Sequence, residues 1–286
     1  MSLIVDRVTK QFRLRQGLRS STLTAVRDVS FELKPGKTIA LVGESGSGKS
    51  TIAKMIMRLE KPSSGSITVD GLTAKSRQEY LHKVQMVYQD PFASLNPFHS
   101  IQHHLERPLR IHGKVKTRAE ADRAVQELLT RVNLEPAESY AARHPHELSG
   151  GQRQRVAIAR ALAPGAQYLV ADEPVSMLDV SIRLSVLNLL ARLQREDNLG
   201  VLYITHDLAT ARHFSDEIMV LYRGEVVERG PSDQVILDPQ HKYTKLLLSA
   251  APIPANHGRL RDSVRAELAS GEDFDRFGKQ VLGETK

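Results

Sequence analysis

Gly43-Glu44-Ser45-Gly46-Ser47-Gly48-Lys49-Ser50-Thr51 carries the spacing G-x-x-x-x-G-K-[ST]. The residues before it, Thr38 to Val42, form a short apolar run. Those behind it, Ser50 to Leu59, place Ile52, Met55, Ile56 and Leu59 at helical spacing. The stretch reads as strand, loop and helix, and that setting gives the spacing its chemistry. Glycines let successive backbone N–H groups turn inward on an anion, and the start of the helix adds the positive end of its dipole. Lys49 is then placed to reach the β and γ phosphates of a nucleotide, and Ser50 to ligate Mg²⁺.

Outward from this loop the chain alternates strand and helix patterns. Two alternating runs, Leu3 to Leu14 and Leu23 to Leu33, bounded by Gly17 and by Pro35-Gly36, predict an antiparallel pair. Ser66 to Val69 predicts a further strand before the turn Asp70-Gly71. From about Asn96 to Ser149 the pattern becomes helical: Thr117 and Glu120 are spaced as a capping box, and Ala121, Val125, Leu128, Leu129 and Val132 share one helix face. Beyond Gln167, strands at Tyr168 to Ala171, Val201 to Thr205 and Glu217 to Tyr222 alternate with helices at Ser181 to Arg195 and Leu208 to Phe214. Strands separated by helices imply a parallel α/β sheet covered on both faces. A hairpin-like Glu225 to Arg229 and a helix at Tyr243 to Ala250 close the folded part. After Pro252 and Pro254 a charge-rich tail follows.

Two further sites lie at strand ends. Tyr168-Leu-Val-Ala-Asp172-Glu173 is an apolar strand finishing in two carboxylates, at the edge where open α/β sheets bind ligands. By itself such an ending is also that of a helix cap or a turn. With the phosphate loop upstream, Asp172 reads as a ligand of the metal's outer shell and Glu173 as the group that polarises a water facing the γ-phosphate. His206 follows the strand Val201 to Thr205 in the same way. There it is either a structural histidine or a γ-phosphate contact.

Composition narrows the class without choosing the partner. The 286 residues, 41% hydrophobic and 26% charged, suit a globular chain of one large or two ordinary domains. The longest uncharged apolar stretches are shorter than a membrane span, and the start has no secretory apolar core, which predicts a protein that stays in the cytosol. With no cysteine, disulfides, thiolate zinc sites and cysteine-ligated iron–sulfur clusters are excluded. The formal charge of +7 is compatible with nucleic acid, anionic lipid or a nucleotide. Arg7, Lys10, Arg13, Arg15 and Arg19 cluster near the start with only Phe12 as an aromatic, which favours a solvated basic face over base stacking.

Leu148-Ser149-Gly150-Gly151-Gln152-Arg153-Gln154-Arg155 stands between the phosphate loop and the strand-end carboxylates, and here the chain resembles the ATP-binding cassette (ABC) family. The resemblance covers about Leu3 to Pro254 and six ordered motifs: the phosphate loop, Gln89 within YQDPFASLNP, LSGGQ, VADEP, Ser176-Met-Leu-Asp179, and His206. It implies a P-loop NTPase (RecA-like) core with an N-terminal antiparallel β subdomain and a helical subdomain inserted at about 96–163, followed by the tail 255–286. It implies ATP hydrolysis with Mg²⁺, Gln89 joining Ser50 and Asp172 around the metal, and Glu173, His206 and Gln89 serving catalysis. Phe12 matches the position that stacks on adenine, the lesser alternative being a strand residue that packs into the small sheet. Ser149, Gly150, Gly151 and Gln152 open a helix toward an anion, by resemblance the γ-phosphate held by a second ATPase subunit, with Asp179 beside it.

Within the family, QDPFASLNP, DEPVSMLDVSI and the segment Pro239-Gln-His241-Lys242-Tyr243-Thr244 followed by AAPIP resemble the ATPases of oligopeptide and dipeptide importers. Lys242 departs from the proline usual there. That resemblance implies two membrane permease subunits, a second ATPase, a different chain or a second copy, and an extracytoplasmic solute-binding protein. It also implies a place on the cytoplasmic face of the membrane and no nucleic-acid partner. A soluble ABC ATPase acting on nucleic acid, or the ATPase of an exporter, are the alternatives, and the transported solute is recognised on other subunits.

Overall fold

A computed structural model describes residues 1–16, 19–72 and 77–250. The turn expected at Gly17 and the tail expected at 255–286 lie outside them. The two N-terminal runs form β1 (Leu3–Gln16) and β2 (Arg19–Leu33), paired antiparallel from Leu3 opposite Leu33 to Gln16 opposite Arg19. A third strand, β4 (Ser64–Val69), adds to the other edge of β1, so this small sheet has the order β2-β1-β4.

The main sheet has six strands. β3 (Thr38–Val42), β5 (Val84–Val87), β6 (Tyr168–Asp172), β7 (Gly200–Thr205), β8 (Glu217–Tyr222) and β9 (Glu225–Pro231) lie in the order β5-β6-β7-β3-β8-β9. All neighbours run parallel except β9, which folds back on β8. Both faces are covered, as near-continuous apolar strands require. Ala40, Val42, Leu169, Ala171, Val201 and Tyr203 face one apolar cluster, while the alternate residues Ile39, Leu41, Tyr168, Val170, Leu202 and Ile204 face another. Sequence patterning did not anticipate β5, whose four residues are too few to set a period.

The loop after β3 leads into α1 (Lys49–Ile56). Leu59 was expected on its apolar face. Instead the helix stops at Ile56, Arg58 turns left-handed at φ 58°, and Leu59 is exposed. The short α2 (Arg77–Lys83) precedes β5. Between β5 and β6 stand α3 (Pro91–Ser94), α4 (Ile101–Ile111), α5 (Arg118–Arg131), α6 (Ala137–Ala142) and α7 (Gly150–Leu162). The capping box expected at Thr117 and Glu120 is present in both halves, and Ala121, Val125, Leu128, Leu129 and Val132 are buried. The chain then continues through α8 (Val180–Glu196), α9 (Leu208–Phe214), α10 (Ser232–Leu237) and α11 (Lys242–Ala250). Because β3, β5, β6 and β7 are parallel neighbours, the residues that follow them emerge at one edge of the sheet.

Candidate functional site

The segment Gly43–Thr51 wraps the start of α1, and two of its glycines, Gly43 and Gly48, are required by contact. A Cβ at Gly43 would lie 2.2 Å from the Leu221 carbonyl oxygen, and one at Gly48 would lie 2.3 Å from that of Ala25. Gly48 also sits at φ 110°, where side chains are strained. It is the N-cap of α1 and provides no side-chain cap, so the first N–H groups of this helix have no side-chain acceptor there. The Ser47 hydroxyl is buried without a hydrogen-bond partner. Lys49 is 5% exposed, and its ammonium donates to the carbonyls of Gly43 and Glu44, both at 2.7 Å. Burial depresses its pKa, opposed by the nearby carboxylates of Glu173, Asp172 and Glu44. An uncapped helix start, an orphaned hydroxyl and a desolvated ammonium fit a bound polyphosphate.

This loop forms one wall of a cavity of 1010 Å³. The other walls bring together residues far apart in the chain: Phe12 and Leu23, cross-strand partners on β1 and β2, then Gln89, Glu173 and His206, and Leu247 of α11. Glu173 lies between two other expected site residues. Its Oε2 accepts from the Gln89 amide at 2.9 Å, and its Oε1 lies 3.4 Å from His206 Nδ1. Its backbone is left-handed at φ 46°, a conformation that costs on the order of 1–3 kcal/mol and has to be held by its surroundings. The holders are the Ile204 carbonyl, which accepts from Glu173 N at 2.9 Å, and the Ser176 hydroxyl, which donates to Glu173 O at 3.1 Å.

Asp172 stands behind the loop, 8% exposed, with Oδ1 3.5 Å from the Ser50 hydroxyl. Burial, the largest influence on it, raises its pKa, and the Ser50 hydrogen bond opposes the rise. Ser50 and Asp172 together present oxygen donors, the chemistry a hard cation such as Mg²⁺ takes. Among the described residues no group of three or more His, Cys, Asp or Glu is placed to hold a metal, so a cation here would draw on these two, on Gln89 and on the nucleotide's own phosphates.

The remaining expected residues are elsewhere. Ser149 is the N-cap of α7, its hydroxyl accepting from Gln152 N at 3.3 Å while the Gln152 side chain accepts from Ser149 N at 2.9 Å. Gln152 also donates to the Tyr140 hydroxyl at 3.0 Å. None of Ser149, Gly150, Gly151, Gln152 or Asp179 lines the cavity, and Ser149 and Asp179 are exposed.

The cavity also holds residues that the motifs did not predict, among them Arg183, Asp207 and Leu247. Arg183 lies 3.5 Å from the Asp207 carboxylate and donates to the Leu178 carbonyl at 3.3 Å. Asp207 caps α9 by accepting from Ala209 N and Thr210 N. Leu247 arrives from a helix almost two hundred residues beyond the loop. The first two follow Asp179 and His206 closely in sequence; Leu247 has no local signal.

The family model described as ABC transporter matches residues 26–176, more than half of the chain. The chain belongs to the ABC transporter family. A second model, the oligopeptide/dipeptide transporter C-terminal region, matches residues 227–280. The cassette is 44% identical over 275 residues to oligopeptide transport ATP-binding protein AppF of Bacillus subtilis, covering 92% of this chain and 83% of AppF. It is 46% identical over 239 residues to oligopeptide transport ATP-binding protein OppF of the same organism, covering 82% and 78%. Its fold matches a dimeric post-hydrolysis state of the ATP-binding cassette MJ0796 bound to ADP and Pi, with TM-score 0.69 and 32% identity over 80% of this chain and 98% of that one. This ABC chain is therefore an ATP hydrolase with a P-loop NTPase core. Among the described residues no helix is long and apolar enough to cross a membrane.

Proposed function

We propose that the chain is the ATP-hydrolysing subunit of an importer for peptides or a related small solute, acting through separate membrane permease subunits. The observation that carries the hydrolytic half is the placement of Glu173, held in a left-handed turn between Gln89 and His206 at the wall of the phosphate-loop cavity. A carboxylate fixed there accepts a proton from the water that attacks the γ-phosphate. Lys49 and the inward N–H groups bind and orient the β and γ phosphates, and Phe12 offers a ring to adenine. His206 contacts the γ-phosphate from the next strand end. Ser50 and Asp172, with Gln89 on release from Glu173, would hold Mg²⁺, which supplies charge neutralisation on the phosphates.

The import half is supported by the match of residues 227–280 and by the oligopeptide relatives. On this reading residues 3–254 are one nucleotide-binding domain carrying a helical insert at about 96–163, and 255–286 are a tail. Gln89 is the hinge between the site and that insert. Phe92 and Phe98 lie exposed just beyond it, and Arg153 of α7 stacks its guanidinium on the Phe92 ring at 4.1 Å. A change at the γ-phosphate thus has a packed route to an exposed surface suited to permease subunits. The partners are two permeases and a second ATPase at the cytoplasmic face, with an extracytoplasmic solute-binding protein engaged indirectly.

Tagging the chain in its native membrane, solubilising it and identifying what co-purifies tests the reading. Two integral membrane proteins and an ATPase are expected. Recovery with ribosomes or nucleic acid and without membrane proteins would overturn it.

A further inference from the structure

The C-terminal helix α11 reaches the phosphate loop from outside. Glu228 on β9 anchors its start, accepting from Gln240 N at 2.7 Å and His241 N at 3.1 Å. Tyr243 is then 1% exposed, with its ring against that of Tyr222 at 4.2 Å between centroids. Its hydroxyl accepts from the backbone N–H of Glu44 at 3.2 Å. The same Glu44 residue uses its carbonyl to accept from Lys49 Nζ at 2.7 Å and from Ser47 N at 3.2 Å. One buried phenol thereby fixes the residue on which the phosphate-binding ammonium rests. The neighbouring support is also C-terminal, because Gly224 N donates to Ser47 O at 2.9 Å. One helical turn beyond Tyr243, Leu247 borders the cavity itself.

We propose that Tyr243 is a positioning residue for ATP binding: through Glu44 it holds the phosphate loop and Lys49 in the arrangement that receives the β and γ phosphates. This rests on the nucleotide site described above and extends it to the C-terminal region. Burial, the largest influence on its hydroxyl, raises the Tyr243 pKa, so the phenol stays neutral at working pH. A neutral hydroxyl can accept from an N–H without placing a charge beside the phosphates. Without it, Glu44 N–H is an orphaned donor, and loop conformations that satisfy it otherwise gain population.

Tyr243→Phe in the full chain removes the acceptor and keeps the ring on Tyr222. Thr244→Val is its control, since the Thr244 hydroxyl is buried on the same helix with no partner. Titration with a fluorescent ATP analogue should give a Kd raised roughly 3- to 10-fold in Tyr243→Phe and unchanged in Thr244→Val. KM for ATP should rise with Kd while kcat at saturating ATP stays within about twofold, since bound nucleotide restores the loop. A Tyr243→Phe chain that binds like wild type, or an equal loss in Thr244→Val, would overturn the inference and leave the nucleotide reading intact. Wild-type protein that binds no ATP would overturn both.

Discussion

Two helices in this chain start at glycine-rich motifs, and they begin in opposite ways. α1 opens inside a cavity from Gly48, a left-handed N-cap with no side-chain acceptor. α7 opens at the surface from Ser149, an extended N-cap whose hydroxyl and the Gln152 side chain satisfy each other's backbone N–H groups. A helix start without a cap leaves donors that an anion can take, whereas a capped one is content alone. The difference teaches that one helix start is left receptive to an anion and the other is satisfied within the chain. On the proposed reading, the second start would meet a phosphate presented by another ATPase subunit.

The largest effect that tests this contrast is at Glu173. Glu173→Gln keeps the shape and removes the proton acceptor, so hydrolysis should fall by about 10² or more while ATP still binds. A closed pair of cassettes should then accumulate, visible by sedimentation with and without ATP, alone and mixed with a partner ATPase. A monomer in every condition would break the comparison, because the α7 start would then have no phosphate to meet. Next comes Lys49→Ala, which leaves the N–H cradle and deletes its ammonium. ATP affinity should drop roughly 10²-fold by equilibrium binding, and normal affinity would show that the helix start alone suffices.

Ser149→Ala sharpens the contrast from the other side. Losing the cap should destabilise the chain by about 1 kcal/mol in thermal unfolding. ATP affinity of the separate chain should be unchanged, while ATP-dependent pairing of the Glu173→Gln background weakens roughly tenfold. If single-chain affinity fell as in Lys49→Ala, the two helix starts would not be separate. The smallest effect is at Phe12. Phe12→Ala should weaken ATP about 3- to 10-fold and leave GTP and ATP closer together, because ring stacking adds about 1 kcal/mol and Leu23 still lines the wall.

The phosphate loop was legible because its pattern is local. Its glycine spacing and the adjoining strand and helix announce themselves within one stretch of chain, although the carbonyls that exclude a Cβ at 43 and 48 belong to Leu221 and Ala25 and were not legible. The capping box at Thr117 was legible for the same reason, being closed within four residues, whereas Ser149 was read as a helix start open to an anion and the structure closes it with Gln152. The strand-end carboxylates were legible as carboxylates, and the six ordered motifs identified the family.

What the order of motifs left open was which residues meet. Gln89 and Glu173 are 84 residues apart and share a hydrogen bond because β5 and β6 are parallel neighbours, and β5 is too short to read. Phe12 reaches the cavity because β1 and β2 pair across it, and the left-handed turn at Glu173 is imposed by contacts with Ile204 and Ser176. Tyr243 and Leu247 belong to a helix that the sequence by itself determined only as apolar and helical. The tertiary structure decided that this helix leans on the phosphate loop. The reason is physical: a backbone conformation and a cap are set by near neighbours, but a shared wall exists only after the sheet has closed and brought its strand ends to one edge.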